Sequence, residues 1–347
     1  MVRNIEYNRA IIQYYRRLRE EISWSNIGRK IERLADCNRL WELDKYEQQK
    51  VKDFKRTNLC RDKFCANCKK VKQAARTARY MPVIEPYKEI LYHMVLTQPN
   101  VPGDALESTL KHMAKCFKYL VNYLDGRKKI VGLEFSGWGY RGAVRSLEVT
   151  FRGNSYHPHY HVGLVMDKPI GPKVNENVFS FDFRNGLPEL KRLFSDKEIL
   201  IQKIWYLLIN KQRVTKKAID GLELGYSCMI NKFAPGDFAE LFKYMTKERD
   251  EEGEVLEYDN FKTLYNALFR VKQIQGYGCL YRVTDEGDTD SFEEIYNAFI
   301  EGLSEKENPT VSWEAPRDLL KDTRYLLISR KTFFKYLRQL YHEGVDR

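Results

Sequence analysis

The chain has 347 residues, and its 59 Lys and Arg outnumber 48 Asp and Glu, leaving a formal charge of +11. That length buries a sizeable core and accommodates one main domain with smaller additions. No apolar run is long enough to cross a bilayer and the start lacks a secretory pattern, so neither a membrane-spanning helix nor a disulfide framework is expected. The cationic excess, with 23 Tyr, suits a polyanion whose bases can stack, which puts nucleic acid first among partners. Seven Cys, an odd and partly clustered set, fit a reducing cytoplasm.

In chain order, residues 1–56 are charged and helical in pattern (Tyr14, Tyr15, Arg16, Arg17, Leu18, Arg19). They are either a basic arm on a phosphate backbone or a solvated helix face. Cys65 and Cys68 then have the spacing of a metal knuckle. Cys60 and Cys37 can complete a four-thiolate structural Zn²⁺ site, with Cys37 the least constrained member. The helix that follows carries Lys69, Lys70, Lys72, Arg76 and Arg79, which suits contacts to DNA phosphates.

Residues 89–97 read as a buried strand. Asp104 with Glu107 makes a capping box for a helix whose apolar stripe is Leu106, Leu110, Met113, Phe117, Leu120, Val121 and Leu124. Residues 130–135 read as another strand. Next, Arg145 to Phe151 and the run through Met166 form two strands joined at Gly153-Asn154, a hairpin turn signal. With those residues at the tip, Arg152 faces Ser155 and Glu148 faces His159. Alternation then puts His157, His159 and His161 on one face with Glu148 and Thr150, and Leu147, Val149, Tyr160 and Val162 on the other. Two imidazoles and a cross-strand carboxylate make a divalent-cation site of mixed nitrogen and oxygen ligands. His159 and His161 are two ligands; Glu148 and His157 compete for the third place.

Residues 168–190 form a long connection, helix returns near Asp196 to Leu208, and residues 221–229 read as a strand. Pro235-Gly236-Asp237 starts a helix with Glu240, Tyr244 and Lys247 on one face. Residues 249–254 form a polar boundary, residues 285–290 an acidic loop, and residues 330–338 a basic, aromatic helix of unassigned chemistry. A divalent cation beside the Tyr helix would suit phosphodiester chemistry, with Tyr244 as nucleophile, Lys247 or the cation lowering its phenol pKa, and Glu240 as general base. Glu240 also fits a capping box with Asp237, which needs no catalysis.

The triple-His element resembles the metal motif of the HUH endonuclease superfamily. More closely, the chain is similar to the replication initiator (Rep) proteins of small rolling-circle plasmids of Gram-positive bacteria. Tyr244-Met245-Thr246-Lys247 matches the family's Tyr-x-x-Lys motif, Glu240 its acidic residue one turn earlier, and Val95-Leu96-Thr97 its first motif. The Cys60, Cys65, Cys68 arrangement resembles the family's cysteine cluster. The resemblance covers roughly residues 37–250. It implies an α/β (α+β) fold in which an antiparallel sheet is flanked by helices, with an N-terminal Cys-cluster region (1–84), a nicking-joining domain (85–250) and a mixed C-terminal region (251–347). It also implies Mn²⁺ or Mg²⁺ at the His site and nicking of plasmid origin DNA through Tyr244. The 3′ hydroxyl left behind would prime synthesis, and Glu240 would assist termination. No phosphate-binding Gly-Lys loop is present, so a host helicase and polymerase are expected partners. For residues 251–347, dimerisation, origin specificity and helicase recruitment all fit. A relaxase or single-strand transposase of the same superfamily, a metal-dependent hydrolase without a Tyr nucleophile, and a non-catalytic zinc-containing DNA-binding regulator are the competing readings.

Overall fold

Apolar residues four and three apart give the first helix its buried side. In the computed structural model, α1 (Val2–Glu21) buries Tyr7, Ile11, Tyr15 and Leu18, and α2 (Asn26–Asp36) buries Ile27 and Leu34. The structure describes residues 2–22, 26–37, 40–45, 50–57, 59–179, 190–234, 236–242, 256–284, 313–314 and 325–329. Helix does not persist to residue 56. Strands β1 (Leu40–Lys45) and β2 (Lys50–Thr57) follow, antiparallel, and then α3 (Ala66–Ile84). The charge that reads as helical belongs to an antiparallel pair of strands, because alternation in their sequence is obscured by Lys, Glu and Asp.

The main sheet comes from the middle of the chain. β3 (Leu91–Leu96) is followed by the short β4 (Val101–Pro102) and by α4 (Gly103–Leu124). β5 (Tyr140–Arg152) and β6 (Ser155–Met166) form the long hairpin. A two-stranded ribbon, β7 (Asn175–Phe179) and β8 (Leu190–Phe194), lies within and just past the expected connection. Then come α5 (Asp196–Ile209), α6 (Lys216–Asp220), β9 (Cys228–Lys232), α7 (Asp237–Leu241), α8 (Tyr258–Ala267) and β10 (Ile274–Gly278). The strand order is β10-β5-β6-β3-β9 with β4 also on β6, all antiparallel. β11 (Trp313–Glu314) and β12 (Tyr325–Ser329) join β2 and β1 in a separate sheet ordered β11-β2-β1-β12. The chain divides into two compact units, Met1–Arg79 with Gly287–Arg347, and Tyr80–Glu286. The expected antiparallel sheet flanked by helices is thus present, and β10 adds an edge strand to it from beyond residue 250.

The hairpin register is the expected one: Arg152 pairs with Ser155, Thr150 with His157, Glu148 with His159 and Ser146 with His161. Gly153 at its tip has φ +53°, the left-handed conformation that favours glycine. One face of the sheet packs on α4 and α5, with Phe117 edge-on to Tyr160 at 5.5 Å and Tyr160 6.4 Å from Trp205. On the opposite face Leu241 and Phe242 of the α7 region are buried with Tyr80, Ile84, Leu91, Val144 and Val165. Gly163 lies on this second face, two residues beyond His161. A Cβ there would meet Val144 Cγ1 at 3.2 Å and Leu241 Cδ2 at 3.4 Å, so glycine lets α7 sit close to β6.

Three local expectations are corrected. Asp104 and Glu107 form no capping box: Pro102 is the N-cap of α4, without a side-chain cap bond, and Glu107 pairs with Lys111. The capping box belongs to α5, where Ser195 and Glu198 bond reciprocally. Residues 130–135 are not a strand but a turn closed by the single bridge Ile130–Leu133, and the strand expected at 221–229 begins at Cys228. The expected acidic loop at 285–290 and helix at 330–338 lie outside the described residues.

Candidate metal centre

Two imidazoles converge on one carboxylate oxygen. His159 Nε2 is 3.1 Å and His161 Nε2 3.2 Å from Glu148 Oε2. These three ligand atoms lie within 4.8 Å of one another. The side chains are largely enclosed, at 12% exposure for each histidine and 5% for Glu148. The register brings this about: Glu148 is directly opposite His159, and His161 is the next residue on that face. His157, the rival third ligand, turns instead to Asn100, with Nδ1 2.8 Å from Asn100 Oδ1.

Sequence reasoning passed over His93 and Asp237. β3 pairs with β6 so that His93 faces Gly163, on the histidine side of the sheet. Its Nε2 is 3.2 Å from His161 Nδ1, and its Nδ1 is 2.9 Å from Asp237 Oδ1 at the start of α7. Asp237 Oδ2 accepts the Ala234 amide at 2.7 Å. Burial holds His93 below the ordinary histidine pKa, against the opposing pull of Asp237 and Glu240. Glu240 is half-buried on α7 and close enough to act electrostatically on His93. Alternation in β3 and the Pro-Gly-Asp helix start were the available signals, but nothing local joins them.

The donor set fits a divalent cation. Two imidazole nitrogens and a carboxylate oxygen are a borderline nitrogen-oxygen set of the kind that holds Mn²⁺, Zn²⁺ or Mg²⁺. Unprotonated, the nitrogens and the oxygen are all acceptors facing one another at hydrogen-bond range, an arrangement that a cation among them relieves. Tyr244 and Lys247 lie outside the described residues.

A second ligand cluster lies in the other unit. Cys37, Cys60, Cys65 and Cys68 are all buried and unbridged. Their sulfurs are 3.5 Å apart for Cys37–Cys65 and Cys60–Cys68, and 3.6 Å for Cys37–Cys68. A tetrahedron with Zn–S bonds of about 2.3 Å has edges of about 3.8 Å, so the cluster is nearly of zinc size. The amides of Cys60, Arg61 and Asp62 donate to Cys37, Cys68 and Cys60 sulfurs, and Asn8 Nδ2 donates to Cys65 Sγ at 3.4 Å. Such donors favour thiolate. Asp62 anchors the knuckle to α1 by accepting from Tyr15 at 2.8 Å. The four cysteines form a group that could bind zinc, and Cys37 belongs to it.

On α3, Lys69 and Arg76 are buried, at 5% and 3% exposure, and Lys69 Nζ lies 5.3 Å over the Tyr7 ring. Lys72 and Arg79 are half-buried, and the Lys70 side chain lies outside the described residues. No described helix is long and apolar enough to cross a membrane.

Residues 51–175 match the Rep_1 replication protein family. The chain is 30% identical to Protein rep of Staphylococcus aureus over 142 residues, 39% of this chain and 57% of that one. It is 24% identical over 261 residues to Protein rep of Streptococcus pneumoniae serotype 2 (strain D39 / NCTC 7466), 73% and 70% of the two chains. With Protein rep of Bacillus amyloliquefaciens the identity is 23%, over 43% of each chain. The matches therefore span from under half to about two thirds of these relatives' own lengths. No solved structure matches significantly. The chain is thus similar to Rep replication proteins of these bacteria, and residues 51–175 are the part that matches the family.

Proposed function

We propose that this protein nicks and rejoins DNA at a plasmid double-strand origin and so initiates rolling-circle replication. The observation that carries the reading is the meeting of His159 and His161 on Glu148 Oε2, on the sheet face that also receives α7. Similarity to the Rep proteins supports it.

In this reading Glu148, His159 and His161 hold Mn²⁺ or Mg²⁺. Such a cation, when bound, would supply Lewis-acid polarisation of the scissile phosphodiester and offset charge on its non-bridging oxygens. Tyr244 follows Phe242 by two residues, and Phe242 is fixed in the core under the sheet. The Tyr244 phenol attacks phosphorus, the new P–O bond forms as the P–O3′ bond breaks, and the phenol proton is passed on to the departing 3′ oxygen. The products are a 5′-phosphotyrosine and a free 3′ hydroxyl that primes synthesis. Lys247 assists by favouring the phenolate. Glu240 takes a proton from water in the terminating step, so one tyrosine suffices. The Cys37, Cys60, Cys65, Cys68 group holds structural zinc, and Lys72 and Arg79 with Lys70 contact origin phosphates. A host helicase and polymerase complete replication.

The test is incubation of labelled single-stranded origin DNA with Mn²⁺, with and without chelator, followed by a denaturing gel. A metal-dependent covalent adduct that disappears in Tyr244→Phe is expected. Cleavage that survives Tyr244→Phe would make the protein a metal-dependent hydrolase, and salt-sensitive binding without cleavage would make it a regulator.

A further inference from the structure

We propose that Asp237 and His93 are positioning residues for the metal centre: a hydrogen-bond relay from the start of α7 through His93 that fixes which nitrogen of His161 is free to bind a cation. It rests on the reading of Glu148, His159 and His161 as ligands.

With a cation in place of a proton between His161 Nε2 and Glu148 Oε2, the relay has one consistent direction. Asp237 Oδ1, an acceptor, is 2.9 Å from His93 Nδ1, so that nitrogen carries the proton. In the neutral ring His93 Nε2 is then an acceptor, and 3.2 Å away it meets His161 Nδ1, which must donate. With its proton on Nδ1, His161 has its lone pair on Nε2, the nitrogen aimed at Glu148 Oε2. A metal-bound histidine whose other nitrogen donates to a fixed partner is held in the right tautomer and ring orientation. Here the partner is a second histidine, itself oriented by a carboxylate. His93 is held in place by its strand and by Phe233, whose ring lies edge-on at 6.1 Å, and Phe233 in turn contacts Phe238 of α7 at 4.8 Å.

Asp237 stands on the helix that carries Glu240, seven residues before Tyr244 in the sequence. Seating α7 therefore also prepares His161. Cation affinity and helix docking become linked, and by reciprocity cation binding favours the seated helix.

Asp237→Asn is the diagnostic variant because it keeps size and shape while reversing the relay. The Asn oxygen can still accept the Ala234 amide, which turns its NH₂ group to His93 Nδ1. His93 must then donate from Nε2 and His161 must accept at Nδ1, which puts a proton on His161 Nε2. Mn²⁺ affinity, measured by EPR titration of free Mn²⁺ without DNA, is expected to fall roughly 10- to 100-fold. His93→Ala should lose affinity similarly, and His93→Gln, which can donate to Asp237 and accept from His161, should recover most of it. Nitrogen-15 NMR of the imidazoles at saturating Mg²⁺ should show His161 protonated on Nδ1 in the wild type and on Nε2 in Asp237→Asn. Wild-type Mn²⁺ binding with undiminished affinity in Asp237→Asn would overturn the relay alone. Absence of Mn²⁺ binding in the wild type would overturn the ligand assignment as well.

Discussion

Leu241→Ala measures how firmly α7 is seated. Leu241 is fully buried and sits over the gap left by Gly163, among Leu91, Val144 and Val165. Trimming it removes about three carbons, and at about 0.8 kcal/mol per buried methylene group the lost transfer free energy is about 2.4 kcal/mol. If about 40 Å³ stays unfilled, the void adds about 1 kcal/mol, giving a loss of about 3.4 kcal/mol. Gly163 contributes no side chain that could swing into the space, which argues against a smaller figure. Domains of this kind are stable by about 5–15 kcal/mol, so the variant should fold but at reduced margin. Urea unfolding followed by Trp fluorescence should show the midpoint falling at constant slope. Covalent adduct yield should fall too, because Tyr244 follows Leu241 by three residues in the sequence. A stability loss below about 1 kcal/mol would refute the packing of α7 against β6 described above.

Further outcomes follow from the same geometry. Glu148→Gln removes the anionic member of the donor set and should abolish measurable Mn²⁺ binding while leaving the melting temperature of the metal-free protein within a few degrees; calorimetry reads both. Glu198 is fully buried and accepts from the Ser195 amide and hydroxyl, from Ile230 N at 2.6 Å and from Lys173 at 3.1 Å. Glu198→Ala, which strands these donors, should cost about 3–5 kcal/mol in chemical denaturation, and an effect under about 1 kcal/mol would contradict the network. Purified protein should contain one zinc per chain by elemental analysis, and Cys65→Ser should lose it and become protease-sensitive before residue 80. Burial pushes the Cys116 thiol up to about 11 and Cys228 well up. A raised thiol pKa means little thiolate at pH 8, so neither should be alkylated in the native protein, whereas both should react in urea.

The hairpin was legible because three local signals agree: a Gly-Asn tip, strict alternation and histidines every second residue. Register follows from such agreement, and with it the pairing of Glu148 with His159. The zinc-sized cluster was legible from Cys-x-x-Cys, although Cys37 is joined to it only by the fold. His93 was not legible as part of the site, since its two partners lie 68 and 144 residues away. β1 and β2 were missed because their charged residues mask alternation and because β1's second neighbour, β12, lies near the far end of the chain. The capping box at Asp104 failed because of a contact distant in sequence. Gly103 N donates to Asn154 Oδ1 at the hairpin tip, and a Cβ at Gly103 would meet that atom at 2.7 Å. The helix start is thus set by the tip of the hairpin and not by its own side chains.

The most direct test of metal-assisted nicking through Tyr244 is to map the adduct. The protein is reacted with 3′-end-labelled oligonucleotides spanning origin sequence in Mn²⁺, digested with trypsin, and the DNA-linked peptide is sequenced by mass spectrometry. The expected result is a single peptide with the DNA phosphate on Tyr244, formed by the wild type and not by Glu148→Gln. An adduct on another tyrosine, or one that forms equally in Glu148→Gln, would contradict the proposed mechanism.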